Sequence, residues 1–542
     1  MKLHLIGHDY KYAVEQIMLA LFPEEKPDYS PDPVIGSCDL VTESRLHIRG
    51  VYASAVTLMS CGDKVSRGIA RVSRAKLTGK LISDRLLQRI IKQSFYRASL
   101  KLIDAPPVWG SLTGIRPAHL ATAAIESGLS GKAAVKKLSG EYYVSPERAA
   151  MAVDAATSSI ALKRGLGERD VALYVGIPFC PTRCAYCSFV SNSVEKSFGL
   201  IEPFMQAVLG EIIAASKIVS ELGLRIVSVY IGGGTPTALP DEALETLMRA
   251  LGSSFDLSYA REYTVEAGRP DTITARKLDI IGRYGADRVC INPQSMSPGV
   301  LNSIGRKHTP EDVVEAVRLV RQSSAALRDG TTQFGGGGAA LRDGAAQCGA
   351  AALRNGTAQF GGAALRGNPA SGLALNMDVI AGLPGDSTEG FAKTLDTVLG
   401  LKPENITVHT LSLKNGSRIK LENTAIPGGA DVGRMLAYAA RRLRENGFVP
   451  YYLYRQKFTS GGYENTGWTR AGYECIYNIC MMEEICTVLA LGGGGVTKLV
   501  SADGRIRRVF NAKYPLEYIQ NAAKTAAKVN AIKDFYVGAP TS

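Results

Sequence analysis

Gly176-Ile-Pro-Phe-Cys180-Pro-Thr-Arg-Cys184-Ala-Tyr-Cys187 stands at the end of an apolar run that begins at Val171. Three thiols spaced C-x3-C-x2-C just past a strand are positioned to ligate a metal. A structural zinc site usually brings two cysteine or histidine pairs to complete four ligands, and no second pair follows nearby. Iron–sulfur clusters also take thiolates, and a four-iron cubane held by three cysteines keeps one iron open for a small molecule. A zinc site and a chance set of buried cysteines remain the alternatives.

Outward from this stretch, short apolar runs recur at Ile226 to Ile231, Tyr263 to Ala267, Val289 to Ile291, Leu373 to Ala381 and Ile406 to Leu413. Amphipathic stretches such as Pro203 to Leu222, Asp241 to Leu251 and Pro310 to Arg321 lie between them. Strands alternating with helices predict βα units and a parallel α/β sheet, and six units predict a barrel or partial barrel. Barrel active sites form at the C-terminal ends of strands. There the sequence places Gly232-Gly-Gly-Thr-Pro-Thr237, Glu266, Gln294 and Asp378. Polar side chains in apolar strands are costly to bury without partners, so four at equivalent positions point to a ligand.

The chain has 542 residues, 46% hydrophobic and 21% charged, which excludes wholesale disorder. No apolar run approaches the ~18 residues of a membrane span. His8, Asp9 and Lys11 stand where a signal peptide needs an apolar core. The expectation is a cytoplasmic protein without membrane insertion. Its ten cysteines are too dilute for a disulfide scaffold and read as buried thiols or ligands. A formal charge of +13 suits anionic partners without naming them. Between Asp63 and Lys101, eleven Lys and Arg face only Asp63 and Asp84. Leu81-Ile82, Leu86-Leu87, Ile90-Ile91 and Phe95 recur there at helical spacing, so the basic residues are expected on the wet face of a helix. No aromatic interleaving suggests stacking on single-stranded nucleic acid.

Three regions follow: residues 1–164, an extra N-terminal α/β domain; 165–420, the barrel; and 421–542, a C-terminal α+β region. Within the barrel, 323–371 carries Ala325-Ala-Leu-Arg-Asp-Gly and its variants from Ala339, Ala351 and Ala363, joined by glycine-rich spacers. These units are too short and glycine-rich to bury a core. The segment is read as a looped-out insertion, disordered or weakly helical, and Cys348 within it is not counted as a ligand. Cys475, Cys480 and Cys486 are read as buried thiols rather than a second cluster, since a helical projection turns Cys480 away from the other two.

Cys180, Cys184 and Cys187, with Tyr186 before the last, resemble the signature of the radical S-adenosylmethionine (radical SAM) superfamily. Tyr174-Val-Gly-Ile-Pro-Phe-Cys180 is similar to the opening of oxygen-independent coproporphyrinogen dehydrogenases and their heme-chaperone relatives. Tyr451-Tyr-Leu-Tyr-Arg-Gln-Lys457, Glu464-Asn465 and Gly472-Tyr-Glu-Cys-Ile-Tyr-Asn478 resemble the C-terminal region of their HemZ-type members. The resemblance implies a partial (β/α)6 TIM-like barrel, a [4Fe-4S] cluster on the three cysteines, and S-adenosyl-L-methionine on its open iron. It further implies cofactor contacts from Tyr174, Tyr186, Gly234, Thr235, Glu266, Gln294, Arg306 and Asp378.

By the same resemblance, reductive cleavage of the cofactor gives a 5′-deoxyadenosyl radical. That radical removes a hydrogen β to a propionate carboxylate of coproporphyrinogen III, and loss of carbon dioxide and an electron leaves a vinyl group, twice, giving protoporphyrinogen IX. The implied partners are this tetrapyrrole or heme, and a one-electron donor such as flavodoxin or ferredoxin. Arg116, Arg455 and Lys457 are candidates for the propionates. Two features depart from the dehydrogenase pattern. Ser188-Phe189, not a further cysteine, follows Cys187, and the glycine run Gly492 to Gly495 is fuller than expected. The alternatives are therefore a heme-binding or heme-transfer chaperone without turnover, and a radical enzyme acting on RNA.

Overall fold

The computed structural model describes residues 1–29, 40–187, 192–328, 372–414, 416–456, 459–521 and 523–538. Ser188-Phe189, Lys457, Cys348 and the repeats beyond Arg328 lie outside the described residues. The chain divides into two units. One is Met1–Val153 with Arg455–Lys457 and Gly461–Tyr463; the other comprises Asp154–Tyr454, Phe458–Ser460 and Glu464–Ser542.

In the first unit, β1 (Lys2–Ile6), β2 (Val41–Arg49), β3 (Tyr52–Cys61) and β4 (Lys64–Ser73) form one sheet in that order. β1 runs parallel to β2, and the other pairs are antiparallel. Helices α1 (Lys11–Leu21) and α2 (Lys80–Ser99) share the sheet's core through Val14, Ile17, Met18, Ile90, Ile91 and Phe95. The basic stretch therefore divides between two elements. Arg67 and Arg71 alternate outward on β4, and the helix begins only at Lys80. Leu81 and Ile82 are exposed, because the first turn of α2 extends past the sheet that buries its later turns. Arg455 stacks over Trp109 at 5.6 Å and donates to the carbonyls of Gly462, at 3.0 and 3.2 Å, and Leu112. Its donors serve backbone here.

The second unit is built on β5 (Asp170–Ile177), β6 (Arg225–Gly233), β7 (Tyr263–Glu266), β8 (Arg288–Gln294), β9 (Ala374–Ala381) and β10 (Asn405–Thr410). Neighbours in this order pair in parallel, matching the six βα units expected, within a residue or two at most ends. The first crossover helix, α3 (Ile201–Glu221), buries Phe204, Val208, Ile212 and Val219 against the sheet. Phe198–Glu221 is long and apolar enough to cross a membrane by composition, but Glu211 within it is tied to Lys528 at 2.7 Å.

Both edges extend beyond the expectation. β12 (Glu464–Thr469) pairs antiparallel with β10, and β11 (Val449–Arg455) lies outside it. On the other edge, β13 (Thr487–Gly492) pairs in parallel with β5, giving a seventh parallel strand, followed by antiparallel β14 (Val496–Val500) and β15 (Ile506–Phe510). The glycine run after β13 has a structural reason. A Cβ on Gly492, where φ is +78°, would stand 2.3 Å from the Gly176 carbonyl oxygen, so only glycine lets the two strand ends close this tightly.

The ends of the repeat segment meet in the fold. Ser324 is buried near the end of the helix Pro310–Arg328, donates to Val320 O at 2.8 Å and accepts from Leu373 N–H at 2.9 Å. The excisable piece therefore starts after Ser324, not at Ser323. Replacing 329–370 with a short Gly/Ser linker is expected to leave solubility, circular dichroism and reconstituted iron content unchanged, since closing a shorter loop between adjacent ends costs little. Loss of iron or solubility would show that the segment takes part in the core.

Candidate functional site

The cysteine loop leaves β5 at its C-terminal end and is fixed from both sides. Gly234 N–H donates to Ile177 O and Thr235 N–H to Phe179 O, each at 2.7 Å. The Thr235 hydroxyl lies 3.5 Å from Cys180 Sγ. A Cβ on Gly234 would fall 2.4 Å from the Phe179 carbonyl oxygen and 2.7 Å from that of Ile177, so the glycine turn after β6 lies directly on the chain entering the loop. The second and third cysteines are joined by a turn in which Cys187 N–H donates to Cys184 O at 3.1 Å.

Between those two, Tyr186 accepts from Arg306 Nη1 at 3.0 Å. Burial pushes its phenol well up, and the neighbouring Cys184 and Cys187 add to the shift. Arg306 also donates to Gly268 O at 2.7 Å and to His308 Nδ1 at 3.4 Å. Burial and the charges of Arg306 and Arg269 push the His308 pKa down to about 3, so it accepts as a neutral ring. Thr182 donates to Gly305 O at 3.2 Å and accepts from Arg269 at 2.8 Å, tying the loop to the segment after β7 and to the turn after the helix Pro298–Ser303.

Deeper in the barrel, Glu266 ends β7 and accepts from the Tyr230 hydroxyl at 2.6 Å. Burial raises its pKa to about 7; the Tyr230 bond lowers it, and nearby Asp378 raises it further. Asp378 accepts from Asn376 Nδ2 at 3.0 Å and stands 3.5 Å from His409 Nε2. Tyr174 stacks on Tyr477 at 5.6 Å, and Tyr477 on Tyr230 at 4.2 Å. Gln294, at the end of β8, holds a left-handed φ of +66°, a strain on the order of 1–3 kcal/mol for a residue with a side chain. Its Oε1, like Asn292 Oδ1 and Asn376 Oδ1, is buried without a hydrogen-bond partner. Strain at the end of β8 combined with orphaned acceptors inside β8 and β9 describes a site prepared for donors it does not itself contain.

The geometry thus joins Cys180 to Thr235 and Tyr186 to Arg306, with Cys184 acting electrostatically on Arg306 and Asp378 on Glu266. Among the described residues no three His, Cys, Asp or Glu converge as ligands of a single ion. Thiolates of a cubane each take a different iron, so they need not converge on one point. Tyr230, His409 and Tyr477 were missed by sequence reasoning. The first two show as polar groups in buried strands beside the glycine turn and Asp378; Tyr477 falls in the Gly472–Asn478 stretch that carries the resemblance, where no role was assigned to it. Cys475, Cys480 and Cys486 are buried, as expected; burial holds the Cys475 thiol well above its ordinary pKa, and the hydrogen bond with Cys486, together with burial, does the same to Cys480.

The shift at Glu266 has a testable sign. A carboxyl that titrates near 7 in the folded state, against an ordinary value of 4.5, stabilises the fold fully below 4.5, and this contribution is lost as pH rises through about 7. Asp287, also raised to about 7 by burial, adds to the trend. Glu266→Gln is expected to flatten the fall of the urea midpoint of metal-free protein over that window, by up to roughly 3 kcal/mol. An unchanged pH profile would contradict the assignment.

The family description "Radical SAM superfamily" matches residues 174–330. The oxygen-independent coproporphyrinogen-III oxidase-like protein HemZ of Bacillus subtilis is 34% identical over 416 residues, 76% of this chain and 74% of that protein. The heme chaperone HemW of Escherichia coli is 23% identical over 65% of this chain and 76% of its own. Among solved structures, coproporphyrinogen III oxidase (HemN) from Escherichia coli aligns with a TM-score of 0.47 and 17% identity, over 70% of this chain and 78% of that one. The chain therefore belongs to the radical SAM superfamily, among its HemZ-like proteins, and takes a [4Fe-4S] cluster and S-adenosylmethionine as cofactors.

Proposed function

We propose that this protein oxidatively decarboxylates propionate side chains of coproporphyrinogen III to vinyl groups, giving protoporphyrinogen IX. The observation that carries the reading is the joining of the cysteine loop to the glycine turn, with Gln294 Oε1 orphaned and the Glu266 and Asp378 carboxylates near enough to interact deeper in the same barrel. Cys180, Cys184 and Cys187 would hold the cluster. Tyr174, Tyr186, Gly234, Thr235, Glu266, Gln294, Arg306 and Asp378 would hold S-adenosylmethionine. Together these cofactors supply a carbon radical able to take an unactivated hydrogen.

The chain's own residues bind, orient and exclude water. Acceptors at Glu266 and Asp378 suit an ammonium group. The Arg306 guanidinium suits a carboxylate, because a planar fork is always charged and His308 and Gly268 O already set its plane. The stack of Tyr174, Tyr477 and Tyr230 gives the interior apolar faces on which a flat ring can lie. The basic balance of the chain suits a polyanionic substrate.

Similarity to heme chaperones keeps heme transfer as the second reading. Anaerobic incubation of reconstituted protein with reductant, S-adenosylmethionine and coproporphyrinogen III separates the two. Protoporphyrinogen with matching 5′-deoxyadenosine is the expected outcome. Tight heme capture with no product would replace the proposal with heme transfer. Neither outcome, with salt-sensitive RNA binding, would favour an RNA substrate.

A further inference from the structure

Three connections leave the four-stranded sheet of the first unit at one end: residues 7–10 after β1, the turn between β2 and β3, and residues 74–79 between β4 and α2. The pairing requires this. β1 runs parallel to β2, while β2, β3 and β4 alternate in direction, with Arg49 opposite Tyr52 and Tyr52 opposite Ser73. Hydrogen bonds tie these connections to their neighbours. Arg74 N–H donates to Val51 O at 2.9 Å and its guanidinium to Gly50 O at 3.2 Å, and the Tyr10 hydroxyl donates to Asp84 Oδ1 at 2.8 Å.

This end is both apolar and cationic. Ile48, Val51, Tyr52, Leu81 and Ile82 are between 46% and 69% exposed. Large apolar groups exposed together mark interaction sites. Arg49, Arg74, Lys76, Lys80 and Arg85 stand exposed on the same segments, and none has an ion-pair partner among the described residues. Asp84 is engaged by Tyr10, so Asp9 remains as the exposed carboxylate among the described residues of these connections. The apolar groups do not form one wall of a groove. Ile48 pairs with Ala53 and points to the side of the sheet that carries its core, Tyr52 points to the other side, and Val51 stands at the tip. A partner with a flat or concave surface covers one side of a projecting hairpin, whereas a fluid medium surrounds it.

We propose that this end of the first unit docks on the surface of an anionic lipid bilayer, its five apolar side chains entering the headgroup layer and its cations meeting lipid phosphates. Docking of this kind lies on the membrane and needs no spanning helix. Long Lys and Arg side chains hold their charge at headgroup level while their stems cover apolar surface. Five cations against one exposed carboxylate select an anionic leaflet over a zwitterionic one, since each cation near such a leaflet adds to binding. The inference stands apart from the reaction proposed above.

Full-length protein is mixed with vesicles of phosphatidylcholine alone, or of phosphatidylcholine and phosphatidylglycerol in equal parts, and the bound fraction is read by flotation. Binding to the anionic vesicles and not to the neutral ones is expected, weakening in about 1 M salt, where charges are screened beyond about 3 Å. Lys76→Glu/Lys80→Glu and Leu81→Ser/Ile82→Ser are each expected to lower the partition coefficient about tenfold or more. All four side chains are exposed, so circular dichroism and the urea midpoint should match the parent. Lys136→Glu/Lys137→Glu, on the helix Gly131–Tyr142, makes the same charge change elsewhere on this unit and should bind as the parent does. An equal loss in that control would reduce the binding to net charge and overturn the proposal. So would anionic vesicles that fail to hold the parent, or that hold Leu81→Ser/Ile82→Ser equally well. A labelled RNA bound where vesicles are not would assign this end to nucleic acid instead.

Discussion

Cys184→Ala protein, reconstituted with iron and sulfide in the absence of oxygen, is expected to be nearly colourless, retaining less than about a tenth of the parent's iron, because a cubane with only two thiolates has no third anchor. The expectation follows from the loop's construction. Thr235 and the Phe179 backbone fix Cys180, Cys184 and Cys187 share one turn, and Tyr186 between them is held by Arg306. Of the other thiols among the described residues, Cys290, Cys475, Cys480 and Cys486 are buried, and Cys61 is exposed on β3. Cys61→Ser, on the exposed end of β3, serves as the control and should keep full iron. Retained iron and colour in Cys184→Ala would refute the ligand assignment.

Lys528→Ala is expected to be the most damaging single change to the second unit's stability. The Lys528 ammonium donates to Glu211 Oε1 at 2.7 Å, to Asn511 Oδ1 at 3.1 Å and to the Ala490 carbonyl. Glu211 in turn accepts from Gly492 N–H at 2.8 Å and from the Tyr518 hydroxyl at 2.5 Å. Both charges are buried, at 5% and 3% side-chain exposure. Removing the cation leaves a carboxylate without compensation inside α3, which costs about 3–5 kcal/mol. The paired change Lys528→Met/Glu211→Gln should recover much of the loss, because neither charge then remains to be desolvated. A urea midpoint for Lys528→Ala within error of the parent would show that the network carries no stability.

The barrel was legible because its strands are buried on both faces and so appear as continuous apolar runs, such as Leu373 to Ala381 against the observed Ala374–Ala381. The cysteine triplet and the glycine turn were legible because their chemistry is local in the chain. What escaped depends on contacts between distant segments. β13 joins β5 through more than 300 residues of intervening chain, and its glycine run is explained only by the Gly176 carbonyl it meets. The helical projection of the three C-terminal thiols failed for a similar reason. The helix covers only Ile476–Glu483, so Cys475 caps it and Cys486 lies beyond its end, where its thiol hydrogen-bonds with that of Cys480. Leu81 and Ile82 kept helical spacing without burial, because periodicity does not reveal where the opposing sheet ends.

The most direct test is electron paramagnetic resonance of anaerobically reconstituted, reduced protein, with and without S-adenosylmethionine. A reduced cubane signal that shifts when the sulfonium is added, with four irons per chain by a separate metal assay, is the predicted result. A signal indifferent to the sulfonium, or zinc in place of iron, would contradict an open iron corner and with it the assignment of the site.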